Sequence, residues 1–78
     1  MNLLFILDYC SFRRKLTIAS SVLNNFKVEI INLNGKTIRF WHSSTFAINV
    51  SMAGIPKGMY RVRVSSKLTK EIRNLLVY

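Results

Sequence analysis

The sequence predicts an all-β, antiparallel sandwich, and two turn signals between alternating runs carry that prediction. Asn34-Gly35 lies between two such runs and is the strongest short hairpin signal, because a two-residue type I′ turn needs positive φ at both central positions. About two strands later, Pro56 cannot donate to a strand ladder and Gly58 permits an unusual backbone angle. We therefore expect one connection to end there and a new strand to restart at Met59.

Strict alternation of apolar and polar residues predicts five or six short strands with no long helical segment between them. The side chains expected to point inward are, in chain order, Leu16 and Ile18; Phe26, Val28 and Ile30; Ile38 and Phe40; Phe46, Ile48 and Val50; and Tyr60, Val62 and Val64. A second reversal is expected at residues 42–44. Short strands at regular spacing indicate an antiparallel sandwich with sequential hairpins.

The two ends of the chain give weaker patterns. The C-terminal end fits a helical stripe formed by Leu68, Ile72, Leu75 and Leu76, and it also fits one face of a strand formed by Leu68, Ile72, Leu76 and Tyr78. The surrounding strands favour the strand. At the start, we expect residues 1–14 to be irregular and residues 15–78 to form the domain. The apolar run from residue 3 to residue 7 is too short for a signal peptide or a membrane span.

Composition limits the chemistry that the chain can perform. Seventy-eight residues with 50% hydrophobic and 19% charged side chains indicate one small packed domain. Cys10 is the single cysteine and cannot form an intrachain disulfide, and His42, the single histidine, is expected at a strand end rather than as a catalytic base. The three acidic residues are far apart in sequence. We therefore expect no catalytic residue, no metal site and no cofactor.

The net charge of +9 favours anionic partners. Four cations are expected on outward positions of neighbouring strands, Lys27, Arg39, Arg61 and Arg63, with Trp41 close by. Such a face fits either a nucleic-acid platform with a stacking aromatic or a solvated strand face that prevents aggregation. Because no known nucleic-acid motif accompanies these residues, the solvated face is favoured and no specific nucleic acid is expected.

Four segments together resemble the C-terminal sorting domain of type IX secretion cargo from Bacteroidetes. They are FKVEIINLNGK (residues 26–36), INVS (48–51), IPKGMYRVRV (55–64) and TKEI (69–72), and residues 15–18 resemble an earlier strand of that family. The order and spacing match throughout. The chain departs from the family at residues 9–12, where the usual Tyr-Pro-Asn-Pro segment is missing, and in its longer C-terminal stretch.

The resemblance implies an immunoglobulin-like β-sandwich that has no catalytic site. Such a domain is appended to a larger exported protein, is recognised by the outer-membrane translocon and is removed by a sortase, so the intact cargo is secreted or held at the cell surface. Such cargo needs an export signal and a passenger, and because this chain shows neither, we expect residues 1–14 to be the truncated start of a larger cargo gene. The turn and sorting-motif candidates are Asn34, Gly35, Lys36, Pro56, Lys57, Gly58, Tyr60 and Lys70. The alternatives are a small basic β domain that binds nucleic acid or another anionic partner, and a surface adhesion module of the same class.

Overall fold

The computed structural model describes residues 5–20, 24–67 and 69–78, which form two antiparallel sheets packed face to face. The strands are β1 (Ile6–Cys10), β2 (Lys15–Ala19), β3 (Phe26–Ile31), β4 (Thr37–Ser43), β5 (Ala47–Ser51), β6 (Gly58–Ser65) and β7 (Lys70–Val77). One sheet has the order β1-β2-β5, and the other has the order β4-β3-β6-β7. Immunoglobulin-like sandwiches divide their strands in this way, with the first, second and fifth opposite a sheet built around the third, sixth and seventh. The predicted all-β sandwich is confirmed.

The core lies between the two sheets and is built by the alternation that the sequence displays. The inward residues predicted for β2, β3 and β6 are all buried: Leu16 and Ile18; Phe26, Val28 and Ile30; and Tyr60, Val62 and Val64. Burying one such side chain contributes about 1.5–3 kcal/mol. These three strands occupy central positions in their sheets, so their inner faces meet across the sandwich.

The first strand corrects the expectation that residues 1–14 are irregular. β1 pairs with β2 over its whole length, from Ile6 opposite Ala19 to Cys10 opposite Lys15. Residues Phe5, Leu7 and Tyr9 alternate toward the core; Phe5 is fully buried, and Leu7 and Tyr9 pack against the buried cluster. The first part of the apolar run discussed above, Leu3 and Leu4, lies outside the described residues.

A bulge in β4 reverses the faces that simple alternation predicts. The register between β3 and β4 shifts by one residue, so that Thr37 and Arg39 lie opposite consecutive residues of β3 and Ile38 is the extra residue. Ile38 packs against the core as predicted, but beyond the bulge the expected faces are exchanged. Phe40 is 67% exposed, whereas Trp41 packs against the core.

The C-terminal stretch is a strand, as the context favoured, but its buried face is not the predicted one. Pairing with β6 places Leu75 opposite the buried Tyr60, so Leu75 and Val77 face the core. The large apolar residues left exposed are Ile72, Leu76 and Tyr78. Leu68, the fourth residue of the predicted face, lies outside the described side chains.

The connection after β4 crosses between the sheets and does not form the hairpin expected at residues 42–44. His42 and Ser43 still belong to β4, and β5 pairs with β2 in the other sheet. Phe46, predicted to face inward, lies in the crossing segment and is half exposed, while its carbonyl accepts a hydrogen bond from the amide of Ser20 at 2.7 Å. Val50 is buried and Ile48 packs against the core, as predicted.

Candidate functional site

Seven of the eight candidate residues named from the sequence lie in or beside the loops at one end of the sandwich. We call this end, formed by residues 11–14, 32–36 and 52–57, the turn end. The register places it beyond the pair Cys10 and Lys15 in one sheet and beyond Ile31, which lies opposite Arg61, in the other. Lys70 lies at the opposite end of the β6–β7 hairpin, where it pairs with Ser65. The fold therefore separates Lys70 from the other candidates.

The hairpin at Asn34-Gly35 has a three-residue loop, not the predicted two-residue type I′ turn. The amide of Gly35 donates to the carbonyl of Asn32 at 3.0 Å, and the amide of Asn32 donates to the carbonyl of Lys36 at 2.9 Å. Gly35 has a φ of 86°, as predicted, but Asn34 is not among the residues with positive φ. The side-chain oxygen of Asn32 explains the difference, because it accepts the amides of Asn34 and Lys36 and stabilises the longer loop.

The second candidate segment forms a tyrosine corner. The hydroxyl of the buried Tyr60 donates to the carbonyl of Pro56 at 2.6 Å, four residues upstream. Gly58 lies between them with a φ of 150°, in the region that favours glycine. Immunoglobulin-like sandwiches use a similar bond near the start of the sixth strand. Pro56, Gly58 and Tyr60 therefore shape the loop, and the exposed Lys57 is displayed on it.

Arg14 also organises the turn end, and the sequence reading did not single it out. It has a φ of 52°, and its guanidinium donates to the carbonyl of Met52 at 3.4 Å and to the carbonyl of Ile55. The amide of Met52 donates in return to the Arg14 carbonyl at 2.7 Å. Arg14 thus joins the β1–β2 turn to the loop before β6. No pattern in the sequence indicated such a role, because residues 1–14 were expected to be irregular and β1 was not predicted.

The outer face of the four-stranded sheet carries a cross-strand ion pair. Arg63 lies opposite Glu29 and donates to its two carboxylate oxygens at 3.0 and 2.8 Å, and the Thr37 hydroxyl donates to the same carboxylate at 3.2 Å. The hydrogen bond from Arg63 is the main reason that the pKa of Glu29 is lowered from 4.5. Beside this pair, the Lys27 ammonium lies 5.6 Å from the centroid of the Phe40 ring.

Two of the residues expected on that basic face lie on the other side of the sheet. Trp41 packs against the core, and the guanidinium of Arg39 donates to the carbonyl of Ser51 in β5 at 3.2 Å. The bulge in β4 is the cause of both changes. The outer face therefore lacks the stacking tryptophan that a nucleic-acid platform was expected to use.

The structure shows no clustered reactive groups among the residues it describes. Within residues 5–20, 24–67 and 69–78, no three His, Cys, Asp or Glu side chains come together as a metal site would require. Cys10 and His42 are both exposed. The same part of the chain contains no helix with the length and apolar character needed to cross a membrane.

The fold and the turn end define an immunoglobulin-like all-β domain whose distinctive residues shape loops at one end of the sandwich. The chain belongs to the family described as the secretion system C-terminal sorting domain, whose family model matches residues 12–78. That match runs through β2 to β7, so it includes the whole four-stranded sheet and two of the three strands of the other sheet. The domain is a C-terminal sorting signal for type IX secretion, a targeting domain whose cargo is secreted or surface-associated. No curated protein matches the sequence.

Proposed function

We propose that this domain is the folded address read by the type IX translocon and then removed by a sortase, and that it performs no catalytic step itself. The observation that carries the proposal is the sorting-domain match over residues 12–78. A translocon that reads a folded domain needs a fixed surface, and this sandwich presents one. The proposed partners are thus the translocon and the sortase, with the passenger protein joined to the domain.

The candidate residues divide into those that shape the turn end and those that are free to touch a partner. Gly35, Gly58 and Tyr60 have conformations or hydrogen bonds that fix loops. Lys36 and Lys57 are exposed at the same end, and neither makes a side-chain hydrogen bond or ion pair with any residue that the structure describes. We assign the first group to shaping the turn end and the two lysines to contact with the translocon.

A reporter experiment tests whether the domain directs export through the type IX machinery. The full 78-residue chain is fused behind a signal peptide and a fluorescent reporter, and is expressed in a bacterium with type IX machinery and in the same strain without its translocon. We expect reporter at the surface or in the medium of the first strain and in the periplasm of the second. The same distribution in both strains would show that the domain is not read by this system.

A matched pair of substitutions tests the contact role of the turn-end lysines. Lys57→Ala removes an exposed charge at the turn end, and Lys67→Ala removes one from a loop at the opposite end. We expect about a fivefold lower export rate for Lys57→Ala and a wild-type rate for Lys67→Ala, because losing about 1 kcal/mol of binding free energy at a contact residue lowers the affinity about fivefold. Equal export rates for the two variants would show that Lys57 does not contact the translocon.

A further inference from the structure

The outer face of the four-stranded sheet has a central row of four residues on four neighbouring strands. In strand order these are Phe40, Glu29, Arg63 and Ile72, each opposite the next in the ladder. The outer two are apolar yet well exposed, at 67% for Phe40 and 51% for Ile72. Glu29 and Arg63 between them neutralise each other through two hydrogen bonds. The row is therefore an ion pair flanked by two exposed apolar side chains.

Positive side chains that form no salt bridge with any residue the structure describes lie on both sides of this central row. In the row toward the 66–69 loop, Lys27 and Lys70 lie on either side of Ser65. In the row toward the turn end, Arg61 lies opposite Asn74, and Met59 and Leu76 form an exposed apolar pair beyond it. Of the three acidic residues in the chain, only Glu29 lies on this face. Its surplus charge is positive.

The outer face of the three-stranded sheet is different and provides an internal comparison. Its rows pair mostly small or polar side chains, such as Asp8 with Thr17 and then Asn49. Ile6 is the large apolar side chain that β1, β2 and β5 leave exposed on this side. Large exposed apolar groups and unpaired cations are thus concentrated on the four-stranded sheet, and such a combination marks an interaction surface.

We propose that the outer face of the four-stranded sheet docks on a protein surface that has an apolar centre edged by carboxylates, and that this surface belongs to the translocon. The proposal rests on the sorting function proposed above. Carboxylates on the partner complement Lys27, Lys70 and Arg61, while its apolar centre covers Phe40 and Ile72. The Glu29–Arg63 pair favours a protein over nucleic acid or a lipid headgroup, because the central arginine already binds a carboxylate that a phosphate would have to displace.

Paired substitutions on the two outer faces test the proposal in the export assay described above. Phe40→Ser and Ile72→Ser remove apolar contacts, with Ile6→Ser as the control because Ile6 is a comparably exposed apolar residue on the opposite sheet. Lys70→Glu reverses a charge at the first residue of β7, and Lys15→Glu makes the same change at the first residue of β2. Urea unfolding of each purified variant identifies those that have lost the fold.

We expect the three variants on the four-stranded sheet to lower export at least about tenfold, with the two controls at the wild-type rate. Three results would overturn the proposal in distinguishable ways. Normal export of folded Phe40→Ser and Ile72→Ser would show that this face is not the docking face, while the proposed sorting function would stand. An equal loss in the controls shows that the effect is not specific to this face. Retention of the wild-type fusion in the periplasm rejects the sorting function, and the docking proposal with it.

Discussion

Gly35 allows the backbone cost of one turn to be measured without any steric contribution. Its φ of 86° lies in the left-handed region, and a Cβ built at this position meets no heavy atom within 4 Å. An L-residue in that region costs roughly 1–2 kcal/mol, and replacing glycine also removes about 0.4–1 kcal/mol of unfolded-state entropy. We therefore expect Gly35→Ala to lose about 1 kcal/mol of unfolding free energy. Gly35→Val should lose more, because a β-branched residue is less tolerant of positive φ.

Urea unfolding measures this loss directly. A domain of this size has an m value of about 1 kcal/mol per molar urea, so the midpoint of Gly35→Ala should fall by about 1 M. Asn34→Ala is the control, because Asn34 is not among the residues with positive φ. An unchanged midpoint for Gly35→Val would refute the left-handed assignment. If Asn34→Ala lowered the midpoint as much as Gly35→Ala, the result would instead support the two-residue type I′ turn.

Two further predictions concern side-chain bonds. Tyr60→Phe deletes the donor to the Pro56 carbonyl and should lower the free energy of unfolding, measured in urea, by about 1 kcal/mol. The control Tyr78→Phe changes an exposed ring and should cost almost nothing. Equal losses for the two variants would contradict the tyrosine corner. Glu29→Gln should cost about 1 kcal/mol at pH 7. Because the folded pKa of Glu29 is lowered, its contribution is present above pH 4.5 and is lost as pH falls through the folded value. The gap between wild type and Glu29→Gln should therefore narrow as pH falls below 4.5 and close once the folded protein binds a proton at Glu29, and a constant gap would show that the ion pair with Arg63 does not stabilise the fold.

The buried face of a strand could be predicted from the sequence where only one of its faces is apolar. The prediction failed where both faces are apolar, because the register with the neighbouring strand then determines which face is buried. In β3 and β6, charged residues separate the buried ones, so only one register buries an apolar face. In β7, Ile72 and Leu76 compete with Leu75 and Val77, and the choice depends on pairing with Tyr60 in β6. No local pattern contains that information.

The functional residues divide in the same way. The positive φ of Gly35 follows from its position after Asn34 between two alternating runs, so it could be predicted. The loop length depended on the Asn32 side chain, which accepts two amides and extends the turn. The role of Arg14 could not be predicted, because its guanidinium donates to the carbonyls of Met52 and Ile55, which are distant in sequence. Such long-range contacts form only when two loops that are far apart in sequence pack against each other.

The position of β1 determines where this domain can be cut and still remain folded. The family match begins at residue 12, yet Phe5 is fully buried and its ring lies 4.3 Å from the Arg73 guanidinium. A tag trimmed to residue 12 would lose that aromatic ring and would turn β2 into an edge strand with an open row of backbone donors and acceptors. Leu16 and Ile18 would then lie in a strand with pairing on one side only. A portable version of this signal therefore needs its junction ahead of Phe5, and trimming to the family boundary would yield a less stable, aggregation-prone tail.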